Sequence, residues 1–238
     1  MEIYKIIAAY LIGIVALVGL CRLLYRYWRH TWFFRNPPRT VPPEQAGILS
    51  PADGTVVYVK EVLPGDEVIT IKRGLKATIN DISREDLTSR KVLIGIFMSP
   101  FNVHYNRIPL SGKVRFIHHY PAIGSNLCMI WMHLRTVLNC LPHYKNSVHI
   151  IQNERTVTAI EGRYRGRSLS SYVVQIAAKN VNGIDSYVDE GDPVQAGQVF
   201  GMIRIGSQVD LIINSFEGMK IRVRPGEKVF AGETILIE

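Results

Sequence analysis

The chain has 238 residues, enough for one globular domain with an appendage, and 47% of them are hydrophobic against 20% charged, which excludes a disordered tail protein. Lys and Arg outnumber Asp and Glu by 28 to 20, a net +8 that points to an anionic partner, either nucleic acid or an acidic lipid surface. Cys21, Cys128 and Cys140 form no even framework and no CxxC pair, which argues against a disulfide scaffold or structural zinc and for a reducing compartment.

From Ile6 to Cys21 sixteen residues pass without a charge, between Lys5 and Arg22. As a helix this run covers roughly 24 Å at ~1.5 Å per residue, and Ile3, Tyr4, Leu23 and Leu24 extend it toward a ~30 Å hydrocarbon core. Arg22, Arg26, Arg29, Arg35 and Arg39 follow with no acid before Glu44, so the positive-inside rule keeps them and everything after them in the cytoplasm. Tyr25, Tyr27, Trp28, Trp32, Phe33 and Phe34 read as an interfacial aromatic belt. Residues 1–31 are thus expected to be a membrane anchor helix with a basic flank, placing the protein at the cell membrane with its main domain on the cytoplasmic side. A cleaved signal peptide is disfavoured because no small-x-small site precedes the arginines; a helix lying in the interface is the alternative. Residues 1–39 hold six Lys and Arg against one acid, a net +5, leaving +3 for the other 199. The excess sits beside the expected bilayer, no nucleic-acid motif accompanies it, and no nucleic-acid partner is expected.

Residues 32–47 are rich in proline and read as a linker, and the main domain spans 48–238. Val- and Ile-rich runs bounded by Gly, Pro, Asn and Asp predict strands at Thr55–Val62, Val68–Lys72, Val92–Met98, Lys113–His118, Ser171–Ala178, Val199–Ile205 and Val209–Ile213. The fold class is mainly β, an antiparallel sheet or barrel. An internal repeat refines this: VDEGDPVQAGQVF (188–200) aligns with VRPGEKVFAGETI (223–235) at an offset of 35, and Val62–Val68 is a degenerate third copy. The pattern resembles the flattened barrels of biotinyl and lipoyl carrier domains, so a duplicated hairpin of barrel-sandwich type is expected. Glu217-Gly218-Met219-Lys220-Ile221 even resembles a biotinylation turn, but VRPGEKV begins three residues after Lys220, too soon for a carrier hairpin. A membrane-tethered noncatalytic barrel of this kind is the alternative function.

Five segments carry a more specific signal. FFRNPPR (33–39), SPADGTV (50–56), FNVHYNRIPLSG (101–112), Asn153-Glu154-Arg155 and IRIGSQVD (203–210) occur in this order. With them the chain resembles the phosphatidylserine decarboxylases of the short bacterial and archaeal type, from Trp32 to its end. Taken alone, Asp53-Gly54 would be a turn pair and His104 an ordinary hydrogen-bonded residue.

The chemistry implied by the resemblance can be followed on these residues. Ser207 Oγ attacks the carbonyl of Gly206, whose missing Cβ permits the distortion, and an ester replaces the peptide bond. His104 takes the proton, with Asp53 holding its imidazole in the right tautomer. Elimination and hydrolysis then leave a pyruvoyl group at position 207, the covalent cofactor, and divide the chain into a large part, 1–206, and a small part, 207–238. Its ketone forms a Schiff base with the amine of phosphatidylserine and acts as the electron sink for loss of CO₂, and His104 serves again as proton donor. The implied catalytic set is Ser207, His104 and Asp53, the cleavage site is Gly206–Ser207, and the partners are phosphatidylserine, the membrane and the two chains, with a homo-oligomer left open. His118 and His119 face opposite ways on a strand and lack ligands at a suitable spacing, so no metal is expected. Residues 121–150 depart from the family pattern: Met129, Ile130, Trp131, Met132, Leu134, Val137 and Leu138 make either a lipid-facing element or an added piece of core. Gln208 stands where a small or basic residue is expected.

Overall fold

The computed structural model describes all residues except Met1, 64–65, 73–74, 86–87, 180–182 and 205. Two compact units are present, Met1–Pro37 and Pro38–Glu238. In the first, helix α1 (Glu2–Tyr27) continues into a π-helical turn, Trp28–Trp32. The 26 residues of α1 span about 39 Å. No α1 side chain is buried, and the helix is long and apolar enough to cross a bilayer, which is compatible with membrane association. The Arg35 guanidinium closes the unit by stacking 3.4 Å from the Trp32 ring centre.

The second unit is mainly β. Its strands are β1 (Ile48–Leu49), β2 (Gly54–Val62), β3 (Ile69–Lys72), β4 (Leu75–Ala77), β5 (Lys91–Met98), β6 (Tyr105–Arg107), β7 (Gly112–Tyr120), β8 (Arg155–Tyr164), β9 (Arg167–Ala177), β10 (Ile184–Ser186), β11 (Pro193–Val194), β12 (Val199–Ile203), β13 (Ser207–Asn214), β14 (Lys228–Val229) and β15 (Ile235–Ile237). Short helices α2 (Ile79–Ser83), α3 (Ile130–Val137) and α4 (His149–Gln152) lie between them. Eight strands form one curled antiparallel sheet, a half-barrel, in the order β11-β7-β8-β9-β13-β5-β2-β14. The order β10-β12-β6 makes a second, three-stranded sheet.

Strand β13 runs through the middle of the large sheet, flanked by β9 and β5, with Ser207 opposite both Ala177 and Met98. Both of its faces are buried, so the polar Ser207, Gln208 and Asp210 are enclosed together with its apolar residues. Val209, Leu211 and Ile213 enter one core with Ile94, Ile96 and Phe200, while Ile212 enters another with Tyr58, Leu93 and Met132. By the same alternation Gln208 and Asp210 share the face of Ile212, and Ser207 takes the opposite one.

Each predicted strand overlaps an observed one, although Val199–Ile205 ends as a strand at Ile203, with Ile205 outside the described residues. Strand β8 was not expected, since Arg155, Thr156 and Thr158 break its apolar pattern, yet all three are buried. The repeat takes a larger context than the expected carrier-type barrel. Its copies place Gly191 and Gly226, then Gly197 and Gly232, at positive φ, and supply edge strands β11 and β14 at opposite ends of the half-barrel. The copies meet at Gly232, where a Cβ would come within 2.8 Å of Arg107 and 3.3 Å of Gly197. The third copy, Val62–Val68, includes Pro64 and Gly65, which lie outside the described residues. Lys220 is not at a hairpin tip: its backbone pairs in both directions with Glu238, the last residue. Within residues 121–150, Met129 and Met132 are buried in the second core, as an added piece of core would be, while Trp131, Leu134 and Leu138 are exposed.

Candidate active site

Gly206 and Ser207 stand where the chain enters β13. Gly206 has φ +55, in the left-handed region, and a Cβ there would meet only the Ala178 methyl at 3.7 Å, so backbone conformation rather than space calls for glycine. The Gly206 carbonyl accepts a hydrogen bond from the Ala178 N–H at 3.2 Å. Ser207 is fully buried and, among the described residues, its Oγ donates to the weak acceptor Met98 Sδ alone, at 3.4 Å. A hydroxyl lightly held next to a carbonyl already polarised by an N–H is the arrangement an N-to-O acyl shift needs.

The Asn-Glu-Arg corner builds this arrangement. Asn153 Nδ2 donates to the carbonyls of Ala177, 2.7 Å, and Leu127, 2.9 Å, while its Oδ1 accepts from Leu127 N at 2.8 Å. The Ala177 N–H donates to Glu154 O at 3.0 Å, so the end of β9 is gripped on both sides immediately before Ala178. Arg155, fully buried, ties the same corner to the helices through the carbonyls of Ile82 and Ile150.

His104 lies between β5 and β6 and is fully buried. Its Nδ1 bonds to the Asn102 carbonyl at 3.0 Å. A carbonyl can only accept, so Nδ1 carries the hydrogen and Nε2 is the basic nitrogen of the neutral ring. The His104 carbonyl accepts from Ile203 N at 3.3 Å, at the end of the strand that leads to Gly206. Asn106 Nδ2 contacts the same Met98 sulfur as Ser207, at 3.7 Å, and its Oδ1 accepts from Gln175 at 2.8 Å. Pro51 O accepts from Arg107 N at 2.9 Å. The three motifs holding Asp53, His104 and Ser207 therefore converge around the ends of β5, β6 and β13.

Asp53 has different partners from the expected imidazole. Its oxygens accept from Arg39 Nη2 at 2.9 Å and from Ala231 N at 2.7 Å, and Arg39 also reaches Glu233 at 3.2 Å. The tautomer-setting contact expected of Asp53 comes instead from the Asn102 carbonyl.

On the other face of β13 Gln208 is the hub of a buried polar cluster. Its Nε2 donates to Tyr58 Oη at 2.6 Å and Asp210 Oδ1 at 2.8 Å, and its Oε1 accepts from His149 Nε2 at 3.3 Å. Tyr58 Oη donates to Asp210 Oδ2 at 2.8 Å. Burial pushes the Asp210 carboxyl up to about 7, against the opposing pull of the Gln208 and Tyr58 hydrogen bonds and of Arg155. Burial brings the His149 imidazole down to about 4. A long amide with both donors and an acceptor suits position 208 because it satisfies three buried groups at once.

A cleft of about 570 Å³ opens beside the site, lined by Thr55, Asn102, His133, Lys228 and Phe230 among others. Asn102 links it to His104, whereas Ser207 and His104 themselves do not line it. The residues fit the pyruvoyl group implied by the resemblance, since Ser207 supplies its atoms and the Gly206 carbonyl is already polarised for the cut that would form it.

A buried serine and an imidazole of set tautomer, carried on a curled sheet beside a cleft, define an enzyme domain. The family model described as phosphatidylserine decarboxylase matches residues 28–237. A phosphatidylserine decarboxylase proenzyme of Syntrophotalea carbinolica is 35% identical over 232 residues, covering 96% of this chain and 89% of its own. Proenzymes of the same name from Cytophaga hutchinsonii, 33% identical over 87% of this chain and 75% of their own length, and Burkholderia mallei, 31% over 98% and 90%, are also similar. The chain belongs to the phosphatidylserine decarboxylase family.

Sequence reasoning missed Ala178, Met98 and Gln175, which lie at unremarkable strand ends, assigned no role to Asn102 or Asn153 although each lies in a quoted motif, and read Arg39 only as part of the basic flank.

Proposed function

We propose that this protein cuts its own chain between Gly206 and Ser207 and then decarboxylates phosphatidylserine to phosphatidylethanolamine, as a step of phospholipid biosynthesis. The observation that carries the reading is the Gly206 carbonyl held by Ala178 N–H next to the lightly bound Ser207 hydroxyl. Ser207 Oγ adds to the Gly206 carbonyl carbon, the Ala178 N–H stabilises the oxygen as it gains charge, and His104 Nε2 accepts the hydroxyl proton. The C–N bond then breaks and the amine of residue 207 takes that proton, leaving an ester. Removal of the residue 207 α-proton expels the Gly206 carboxylate, and hydrolysis of the resulting dehydroalanine releases ammonia and leaves the pyruvoyl group.

Once formed, that group supplies an electron sink for the charge left when CO₂ departs. His104 Nε2 holds the proton that the decarboxylated carbon needs, and the cleft admits the lipid head. Asp53 keeps Arg39 and the Ala231 loop in place against the site through its two hydrogen bonds. Chains 1–206 and 207–238 stay together because β13 remains paired with β9 and β5 after the cut. The basic run from Arg22 to Arg35 supports, by the positive-inside rule, a domain on the cytoplasmic side of the cell membrane.

Intact-mass measurement of the purified chain, followed by CO₂ release from phosphatidylserine vesicles, tests this. Two fragments divided at Gly206–Ser207, the small one blocked as a keto acid, together with CO₂ are expected. One intact chain bearing extra mass on Lys220 would overturn the reading.

A further inference from the structure

Helix α3 carries three functions on one short cylinder. Met132 faces the second core, and His133, Thr136 and Val137 form a wall of the cleft. At ~100° per residue the remaining sector presents Trp131, Leu134 and the cap residue Leu138. Trp131 is 65% exposed and Leu138 68%, and across the cleft Phe230 is 50% exposed. Large apolar side chains left in water on the rim of a binding cleft mark a surface that meets something apolar.

The chemistry of the rim says what. From Pro121 to Asn153 the chain has no Asp or Glu, but it has Arg135 and Lys145, and Lys228 stands inside the cleft. Apolar groups among basic ones, with acids excluded, complement an anionic lipid surface. A tryptophan beside leucines is also the composition favoured at the headgroup boundary.

We infer that the outward sector of α3 is a second bilayer contact, separate from α1, which seats the cleft mouth on the membrane so that a lipid head enters without leaving its leaflet. This rests on the reading of the cleft as the lipid site. A bilayer supplies both the apolar layer for Trp131, Leu134 and Leu138 and the negative charge for Arg135 and Lys145.

Two measurements test it. In a full chain carrying Ser207→Ala, to prevent turnover, Trp28→Phe and Trp32→Phe leave Trp131 as the one tryptophan of the three. Vesicles of brominated phosphatidylcholine with phosphatidylserine should quench its emission by about half relative to unbrominated vesicles, as expected for a ring at the acyl boundary. Unchanged emission overturns the proposal, as does a shielded Trp131 that accompanies dimer formation, which would mark a contact between copies. In the active chain, Trp131→Ser, Leu134→Ser and Leu138→Ser together should lower kcat/KM for bilayer phosphatidylserine about tenfold or more. Fragment formation and turnover of monomeric dihexanoyl phosphatidylserine should be unchanged. Equal loss on both lipids, or loss on neither, overturns the proposal. Should the parent chain release CO₂ from neither lipid, the function reading fails while the quenching still decides the contact.

Discussion

Asn153 donates a hydrogen bond to the carbonyl of Ala177 at 2.7 Å, one residue before the N–H that holds the Gly206 carbonyl. The corner between α4 and β8 is thereby linked by hydrogen bonds to a peptide bond more than fifty residues away. Asn153→Asp keeps the acceptor for Leu127 N but loses both donors and adds a buried charge. Stability should fall by about 2–4 kcal/mol, and fragments should form more slowly at temperatures where the variant is folded. Denaturant titration with timed mass spectra measures both; unchanged cleavage would separate the corner from the cut.

His104→Ala should slow self-cleavage by about 100-fold or more, the usual scale for losing a general base. Circular dichroism should remain that of the parent. Normal fragmentation would assign the base to another group.

Gly206→Ala meets no steric obstacle beyond the Ala178 methyl at 3.7 Å, so its cost is that of holding alanine at φ +55. We expect about 1–2 kcal/mol, a melting temperature lower by several degrees on the uncleaved Ser207→Ala background, and slower cleavage where Ser207 is kept. A neutral effect on stability would contradict the left-handed conformation.

Asp53→Ala removes the carboxylate from a pair in which both side chains are only 6% exposed, leaving Glu233 as Arg39's one carboxylate partner among the described residues. Loss of a partner from a buried ion pair costs about 3–5 kcal/mol; because Glu233 remains, the lower end is expected in thermal melts. Rescue by Asp53→Glu with restored cleavage would show that the charge at this position, beyond its packing, supports the site.

The buried cluster beneath Gln208 should give a pH signature. The Asp210 carboxyl lies at about 7, above its ordinary value of 3.8, so its contribution to stability is complete below that ordinary value and is lost as pH rises toward 7. The His149 imidazole lies at about 4, below its ordinary 6.5, so its contribution is complete above 6.5 and is lost as pH falls toward 4. The two slopes oppose each other between about pH 4 and 6.5. Asp210→Asn removes the first alone, so the variant should gain stability relative to the parent as pH rises through this interval, by up to about 1.4 kcal/mol per pH unit. Urea midpoints on the Ser207→Ala background measure the difference, and parallel curves would rule out the raised carboxyl.

Much of the fold was legible. Strands β2, β5 and β13 announce themselves by Val- and Ile-rich runs, and the paired glycines of the repeat by their turn spacing. Strand β8 did not, because Arg155 and Thr156 find their side-chain partners only in groups that the fold brings in. The same holds for Gln208, which looks out of place in the chain and fits once Tyr58, Asp210 and His149 surround it.

By itself the amino-acid order determined the apolar first helix, the mainly β class, the family and the residues Asp53, His104, Gly206 and Ser207 as a candidate set. These properties reside in neighbouring residues: hydrophobic periodicity, glycine turns and short motifs. Which partners those residues take was decided only by tertiary structure. Strand register sets Ala178 N–H on Gly206 and Met98 on Ser207, loop packing gives Asp53 to Arg39 and His104 to Asn102, and burial moves Asp210 to about 7. Hydrogen bonding and desolvation depend on atoms distant in the chain and adjacent in space, and that adjacency exists only after the sheet has closed around β13.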